Sequence, residues 1–250
     1  MIATIKHKNR KYSIRLDAPL DISIPIQNGS DNVGAWYLGP PRISAHREDG
    51  FVGSVKEGAS VNFNDIWFNP HSHGTHTESV GHITENFHSV NQHLDRYFFL
   101  AELITIAPEK WGDDFVISKK QLQYALGQKK RQAVVIRTLP NLSDKKSRQY
   151  SHTNPPYLLE EAAKWLCTQQ VEHLLVDLPS VDKENDVGAL LAHHAFWDVH
   201  GSMRMGATIT EFIYVPNAVV DGTYFLNMQV APFENDASPS RPVLYKIMEK

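Results

Sequence analysis

Positions 71–82 read His-Ser-His-Gly-Thr-His-Thr-Glu-Ser-Val-Gly-His, which places four histidines and one glutamate within a dozen residues. Imidazole nitrogen and carboxylate oxygen are the donors that borderline divalent cations such as zinc and manganese accept at neutral pH. The segment therefore reads as a metal site, with His71, His73, His76, Glu78 and His82 as the available ligands. An extended backbone alternates its side chains between faces, which would set His76, Glu78 and His82 on one side with Ser72 beside them. Gly74 would let the chain bend between ligands. A polar, histidine-rich surface loop is the plain alternative, but clustered histidine tracts more often bind metal.

A second group of candidate donors lies far along the chain: His193 and His194 in Ala-His-His-Ala-Phe-Trp, and Glu211 in Ala-Thr-Ile-Thr-Glu-Phe-Ile. Taken alone, the histidine pair reads as structural. Glu211 is more telling, because it interrupts an apolar, strand-like run where an ionised carboxylate needs a partner such as a cation. Asp177 and Asp182 flank a Pro-Ser turn at a strand end, where a carboxylate can border a pocket, but capping that turn is the reading that comes first. Trp36, Tyr37, Trp67, Phe68 and Trp197 are core residues first, and Trp67 and Phe68, just before the histidine cluster, are candidates to line a pocket.

The elements that must position these groups alternate along the chain. Lys11–Leu16 and Leu20–Ile26 show the short alternation of half-buried strands, so the first seventy residues read mainly as β. The compact apolar runs 100–106, 133–137 and 173–177 look like interior strands. Between the last two, Pro155-Pro156 can open a helix on which Leu158, Leu159, Ala162, Ala163 and Leu166 recur at helical spacing, with Glu160 and Glu161 near its start. Residues 140–156 and the tail from Glu234 to Pro242 read as exposed loops.

Composition bounds the function class. With 250 residues and 42% hydrophobic content the chain is expected to form one globular domain spanning 1–250. A formal charge of −3 without a Lys/Arg stripe gives no footprint for nucleic acid or anionic membrane. Lys129-Lys130-Arg131 and Lys145-Lys146 read as solvated loop charge. Cys167 stands alone, so no internal disulfide is used, and its place in the predicted helix suits a small buried thiol. The N-terminus lacks the apolar core of a secretory signal and no run approaches bilayer length, which leads to a cytoplasmic expectation.

These residues resemble the cyclase family of metal-dependent hydrolases, which includes bacterial kynurenine formamidases and isatin hydrolases. The family signature is His-x-Gly-Thr-His-x-Asp-x-Pro-x-His; Gly74, Thr75, His76 and His82 match in register and Glu78 stands at the bridging aspartate. Asp21-Ile-Ser-Ile-Pro, Val176-Asp-Leu-Pro-Ser-Val-Asp182, the pair His193 and Glu211, and Pro239-Ser-Arg-Pro-Val-Leu resemble further landmarks. The departures are Ser72 at the first ligand histidine, Glu78 for the aspartate, Val80 for the proline, and a longer His193 to Glu211 spacing around 200–205.

The resemblance implies an α/β fold, a swivelling β/β/α domain with a β-rich core and flanking helices, assembled as a homodimer or homotetramer. It implies a divalent metal, zinc first and manganese second, held by His76 and Glu78 with His193 and Glu211 as distal ligands. His71 or His73 would supply the imidazole missing at Ser72 through a local shift; the alternatives are a single ion or an oxygen-richer one. His82 and Glu211 are the candidate catalytic groups, with His82 either a proton shuttle or a further ligand. Thr75 reads as a loop-stabilising hydroxyl before a catalytic one. The implied activity is hydrolysis of a C–N bond in a small amide, formamide or lactam. A metal-dependent cyclase or dehydratase and a non-catalytic binder with a degenerate site are the alternatives.

Overall fold

The computed structural model describes residues 1–248. Its main sheet has nine strands: Leu20–Asp21 (β1), His76–Glu78 (β2), Phe98–Ile106 (β3), Ala133–Thr138 (β4), His173–Val176 (β5), Thr208–Glu211 (β6), Gly222–Asn227 (β7), Ala237–Pro239 (β8) and Val243–Lys246 (β9). Across the sheet the order is β8-β2-β6-β5-β4-β3-β7-β9-β1. Strands β3 to β6 form a parallel block, and the flanking strands all pair antiparallel. The mixed α/β architecture, rich in strands and poor in helix, is the one the sequence predicts.

Three helices, Lys119–Leu126 (α1), Glu160–Thr168 (α2) and Leu191–Trp197 (α3), carry the chain between successive parallel strands. They share one core with the sheet face presented by Ile104, Ile106, Val134, Ile136, Leu174, Val176 and Ile209. The opposite face, with Ala101, Leu103, Ala133, Val135 and Leu175, packs into a second core. Burial on both faces is why these strands read as continuous apolar runs without alternation. Cys167 is buried on α2, as its neighbours predicted. Among the described residues no helix is long and apolar enough to cross a membrane.

Several local expectations give way to long-range pairing. Only Leu20–Asp21 of the predicted strand 20–26 joins the sheet. Beyond it the backbone is extended but bonds singly, Tyr214 N donating to Ile22 O and Thr75 N to Ile24 O. Leu158 is not helical: Tyr157–Leu158 pairs with Val116–Ile117 and Leu158 N donates to Val181 O, so α2 begins two residues later. The tail 234–242 is not an exposed loop, because β8 takes an edge of the sheet beside β2, with Ala237 and Ser238 buried.

The basic runs are solvated only in part: Lys130 and Lys146 are exposed, but their neighbours are paired. Lys129 and Arg131 both reach the buried Glu102, at 2.7 and 3.0 Å. Lys145 is itself buried within 140–156, and its ammonium donates to Asp177 Oδ2 at 2.7 Å, Thr138 O at 2.8 Å and Thr138 Oγ1 at 2.9 Å. All three of its protons are therefore used, and Asp177 is the partner of a lysine rather than the cap of its turn. Removing one member of such a pair leaves the other buried and uncompensated. The variant Lys145→Ala is expected to lose about 3–5 kcal/mol of folding stability in urea denaturation, and a loss below about 1 kcal/mol would refute that role.

Candidate metal centre

The three residues of β2 sit between β6 and β8 and hydrogen-bond to both, so their side chains have fixed directions. His76 and Glu78, two apart, share one face, and Glu211 faces His76 across the β2–β6 pair. Thr77 points the other way, where its hydroxyl meets Thr210 and Ser240. Ile209, on the same face as Glu211, belongs to the core shared with the helices, so the candidate site lies on the helix-covered face.

The chain enters β2 through a pinned turn. Thr75 Oγ1 accepts from Ile24 N at 2.6 Å and donates to Phe212 O at 2.5 Å, which commits that hydroxyl to the backbone. A Cβ on Gly74 would lie 2.8 Å from Ile26 Cγ1 and 3.1 Å from Ile24 O, so the close approach needs glycine. Trp36 Nε1 holds His71 O at 3.0 Å. After β2, Ser79 caps a short 3-10 turn, Val80–Ile83, that brings His82 back over the strand. Gly81 fits there only without a side chain, since a Cβ would fall 2.1 Å from His88 O.

Seven of the converging groups form one cluster around Glu78, which is fully buried. Its Oε2 lies 3.1 Å from His71 Nδ1, 3.9 Å from His76 Nε2 and 4.0 Å from His82 Nε2, and its Oε1 lies 3.1 Å from His193 Nε2. Glu211 Oε2 is 3.5 Å from His76 Nε2, and its Oε1 accepts from Val181 N at 3.0 Å. Behind His193, Asp182 Oδ2 meets Nδ1 at 2.5 Å. Behind His71, Asp236 Oδ2 meets Nε2 at 2.9 Å, and the same oxygen is 3.4 Å from His82 Nδ1. The rings of His71 and His82 stack with centroids 4.2 Å apart.

Electrostatics follow from this packing. Burial opposes charge on His71, but the carboxylates of Asp236 and Glu78 outweigh it and push the ring up to about 10. His193 is likewise penalised by burial and lifted to about 10 by Asp182, Glu78 and Glu211. Burial alone would raise Glu78, yet His82, His193 and His71 hold it well below the ordinary carboxylate range. Asp236 is lowered by His71 and His82 against its own desolvation.

Two atoms test whether a cation fits. His76 Nε2 and Glu78 Oε2 are buried without a hydrogen-bond partner, in the middle of a ring of other donors. One ligand atom from each of His71, His76 and Glu78 lies within 4.8 Å of the others, and the same holds for Glu78, His82 and His193 and for His71, His82 and Asp236. Imidazole and carboxylate at that spacing suit zinc or manganese, and the unpartnered pair points inward where an ion would satisfy both.

Of the residues singled out from sequence, the structure brings His71, His76, Glu78, His82, His193 and Glu211 together. His73 it does not. Its Nδ1 accepts from Asn69 N at 2.9 Å, its Nε2 faces Gly39 O at 3.0 Å, and its ring packs on Trp67, so both nitrogens are spent on holding the loop. Of the two histidines flanking Ser72, His71 is the one whose ring reaches Glu78. His194 is outside the cluster, stacked on His200. Phe68 stacks on Phe233 and not on the cluster's rings. Asp182, for which capping the turn reads ahead of bordering a pocket, orients His193 and accepts from Ala192 N and His193 N at the start of α3, and Asp236, in a segment that reads as loop, is the carboxylate the sequence does not single out.

Residues 20–183 match the family described as "Cyclase". No curated protein sequence matches the chain. Among solved structures, isatin hydrolase A from Labrenzia aggregata superposes with a TM-score of 0.67 at 13% identity, covering 91% of this chain and 93% of that one. A "potential metal-dependent hydrolase with cyclase activity" gives 0.65 at 18% identity over 91% and 97% of the two chains. A "predicted metal-dependent hydrolase" from Bacillus stearothermophilus gives 0.63 at 17% identity over 91% and 98%. These likenesses establish the fold, and the match over residues 20–183, well over half of the 250, establishes that the chain belongs to the cyclase family.

Proposed function

We propose that the protein is a metal-dependent hydrolase that opens a C–N bond of a small amide, formamide or lactam. The observation that carries this reading is the buried, unpartnered pair His76 Nε2 and Glu78 Oε2 inside a ring of imidazoles. Structural likeness to an isatin hydrolase supports the reaction class. His71, His76, Glu78, His193 and Glu211 would hold the ion. A divalent ion bound there polarises a carbonyl and makes water acidic enough to supply hydroxide near neutral pH.

The chain's own groups do the rest. Asp182 and Asp236 hold the rings of His193 and His71 in one orientation. His82 is the most exposed imidazole of the cluster, with Nδ1 turned to Asp236 and Nε2 turned to the centre. That geometry lets Nε2 carry a proton to a departing amine, which a C–N cleavage requires and an ester cleavage does not. Protein purified without chelator should hold one or two equivalents of zinc or manganese by elemental analysis, and His76→Ala should hold none. His82→Ala should keep its metal and lose about 10²–10⁴-fold in kcat on an amide and lactam panel. A metal-replete wild type inactive across that panel, or product masses showing loss of water, would sink the hydrolase reading.

Metal binding should also be linked to protons. The carboxylates around His71 and His193 push both rings up to about 10, which favours the charged form at pH 7, so each must give up a proton to coordinate. Calorimetry in buffers of differing ionisation enthalpy should register proton release, with affinity rising as pH rises. The sign for the metal-free fold is opposite: with pKa raised from 6.5, the stabilisation from these rings is complete below about 6.5 and disappears as pH climbs through about 10. Flat metal affinity between pH 6 and 9 would contradict the assignment.

We further propose a homodimer or homotetramer. Phe63, Ile66 and Trp67 lie exposed on the segment that leads into the histidine cluster. Light scattering should give a multiple of 28.3 kDa, and a clean monomer would refute the assembly.

A further inference from the structure

The geometry points to Asp236 as a positioning residue that makes the displaced ligand His71 usable, and this rests on the metal-centre reading above. In the family signature an imidazole stands where this chain has Ser72, whose buried hydroxyl has no hydrogen-bond partner. His71 sits one residue earlier, on the turn preceding β2, and is one-fifth exposed where His76 and Glu78 are fully enclosed. A ring hung on a turn has rotational freedom that a ring on a central strand lacks. Asp236 removes it.

The anchoring is built from both ends. Asp236 is the residue before β8, and its carbonyl accepts from Ser79 N at 2.9 Å and from Ser79 Oγ at 3.2 Å, directly after Glu78. The neighbouring carbonyl of Asn235 accepts from Val90 N at 3.0 Å. The backbone of Asp236 is thus tied to the ligand strand itself, although 165 positions separate it from His71. From there Oδ2 takes His71 Nε2 at 2.9 Å and leaves Nδ1 aimed at Glu78 Oε2 at 3.1 Å. His193 is held the same way by Asp182, so the two imidazoles nearest Glu78 each have a carboxylate behind them, Asp236 also lying 3.4 Å from His82 Nδ1. Carboxylate, imidazole and ion in line is the arrangement that fixes ring tautomer and strengthens the ligand.

The test is a double-mutant cycle read by cobalt affinity, using chelator competition and the absorption spectrum of the bound Co²⁺. Asp236→Asn is expected to weaken Co²⁺ binding 10- to 100-fold and to alter the spectrum, while the far-UV circular dichroism of the protein shows it still folded at the assay temperature. On a His71→Ala background the same change should cost less than threefold, because the 2.9 Å bond to His71 is gone and only the longer 3.4 Å approach to His82 Nδ1 is left; His71→Asn serves as that background if the alanine variant does not fold. An equal loss in both backgrounds, or no loss in the wild type, overturns the proposal while leaving the metal centre standing. A wild type that binds no Co²⁺, Zn²⁺ or Mn²⁺ overturns the metal centre and this proposal together.

Discussion

A carboxylate with no exposed surface, on a strand hydrogen-bonded along both edges, is the constraint from which the rest of the centre follows. Glu78 cannot swing toward water, because β6 and β8 hold its backbone and the adjacent residues on both sides. An isolated buried carboxylate is costly enough that it either takes up a proton or collects positive charge. Here three imidazoles close on it from a turn, a 3-10 segment and a helix. The 3-10 segment and the helix are also anchored in the core through Val80, Ala192, Phe196 and Trp197, so their histidines arrive at Glu78 on positions that packing has already set. The two outer carboxylates, Asp182 and Asp236, then face His193 and His71 from behind, so negative and positive groups alternate outward from Glu78 along both lines.

The parallel block explains how residues so far apart in sequence meet. Each crossover returns the chain to the same edge, so the turn after β5 and the last residue of β6 emerge side by side. The crevice beyond the carboxyl ends of such strands is where open α/β sheets place their ligands. The turn contributes Val181 N to Glu211 and Asp182 to His193, and its shape depends on Asp177, whose carboxylate is tied back to Thr138 and Lys145. A buried ammonium well away from the imidazoles therefore helps determine where the distal ligands stand.

The legible parts of the sequence were those whose signal is local. Runs of apolar residues gave the interior strands, and donor chemistry at short spacing gave the histidine cluster, because both patterns follow from side-chain type alone. Glu211 announced itself by violating an apolar run. What stayed hidden was set by pairing across long distances. Nothing in the residues around 145 distinguishes a lysine that donates to a buried aspartate from one in water, since the partner is 32 positions away. Asp236 was illegible for the same reason, as its segment has the composition of a loop and becomes a sheet edge only once β2 is beside it. His71 and His73 are chemically identical and two apart, so only the backbone of the turn, which turns one ring to Gly39 and the other to Glu78, could separate them.

The placement of donors on different kinds of backbone divides the centre into two halves. His76, Glu78 and Glu211 stand on paired strands and His193 on a helix whose first turn is capped by Asp182, so their relative positions cannot adjust. His71, His82 and Asp236 stand on a turn, a 3-10 segment and the residue before an edge strand, and are held by single hydrogen bonds from Trp36, Ser79 and one another instead of by strand pairing. An ion held among these groups would therefore meet two kinds of support, donors locked by strand and helix geometry on one side and donors whose aim depends on a few individual hydrogen bonds on the other, so single substitutions behind the second set would reach its coordination without disturbing the sheet.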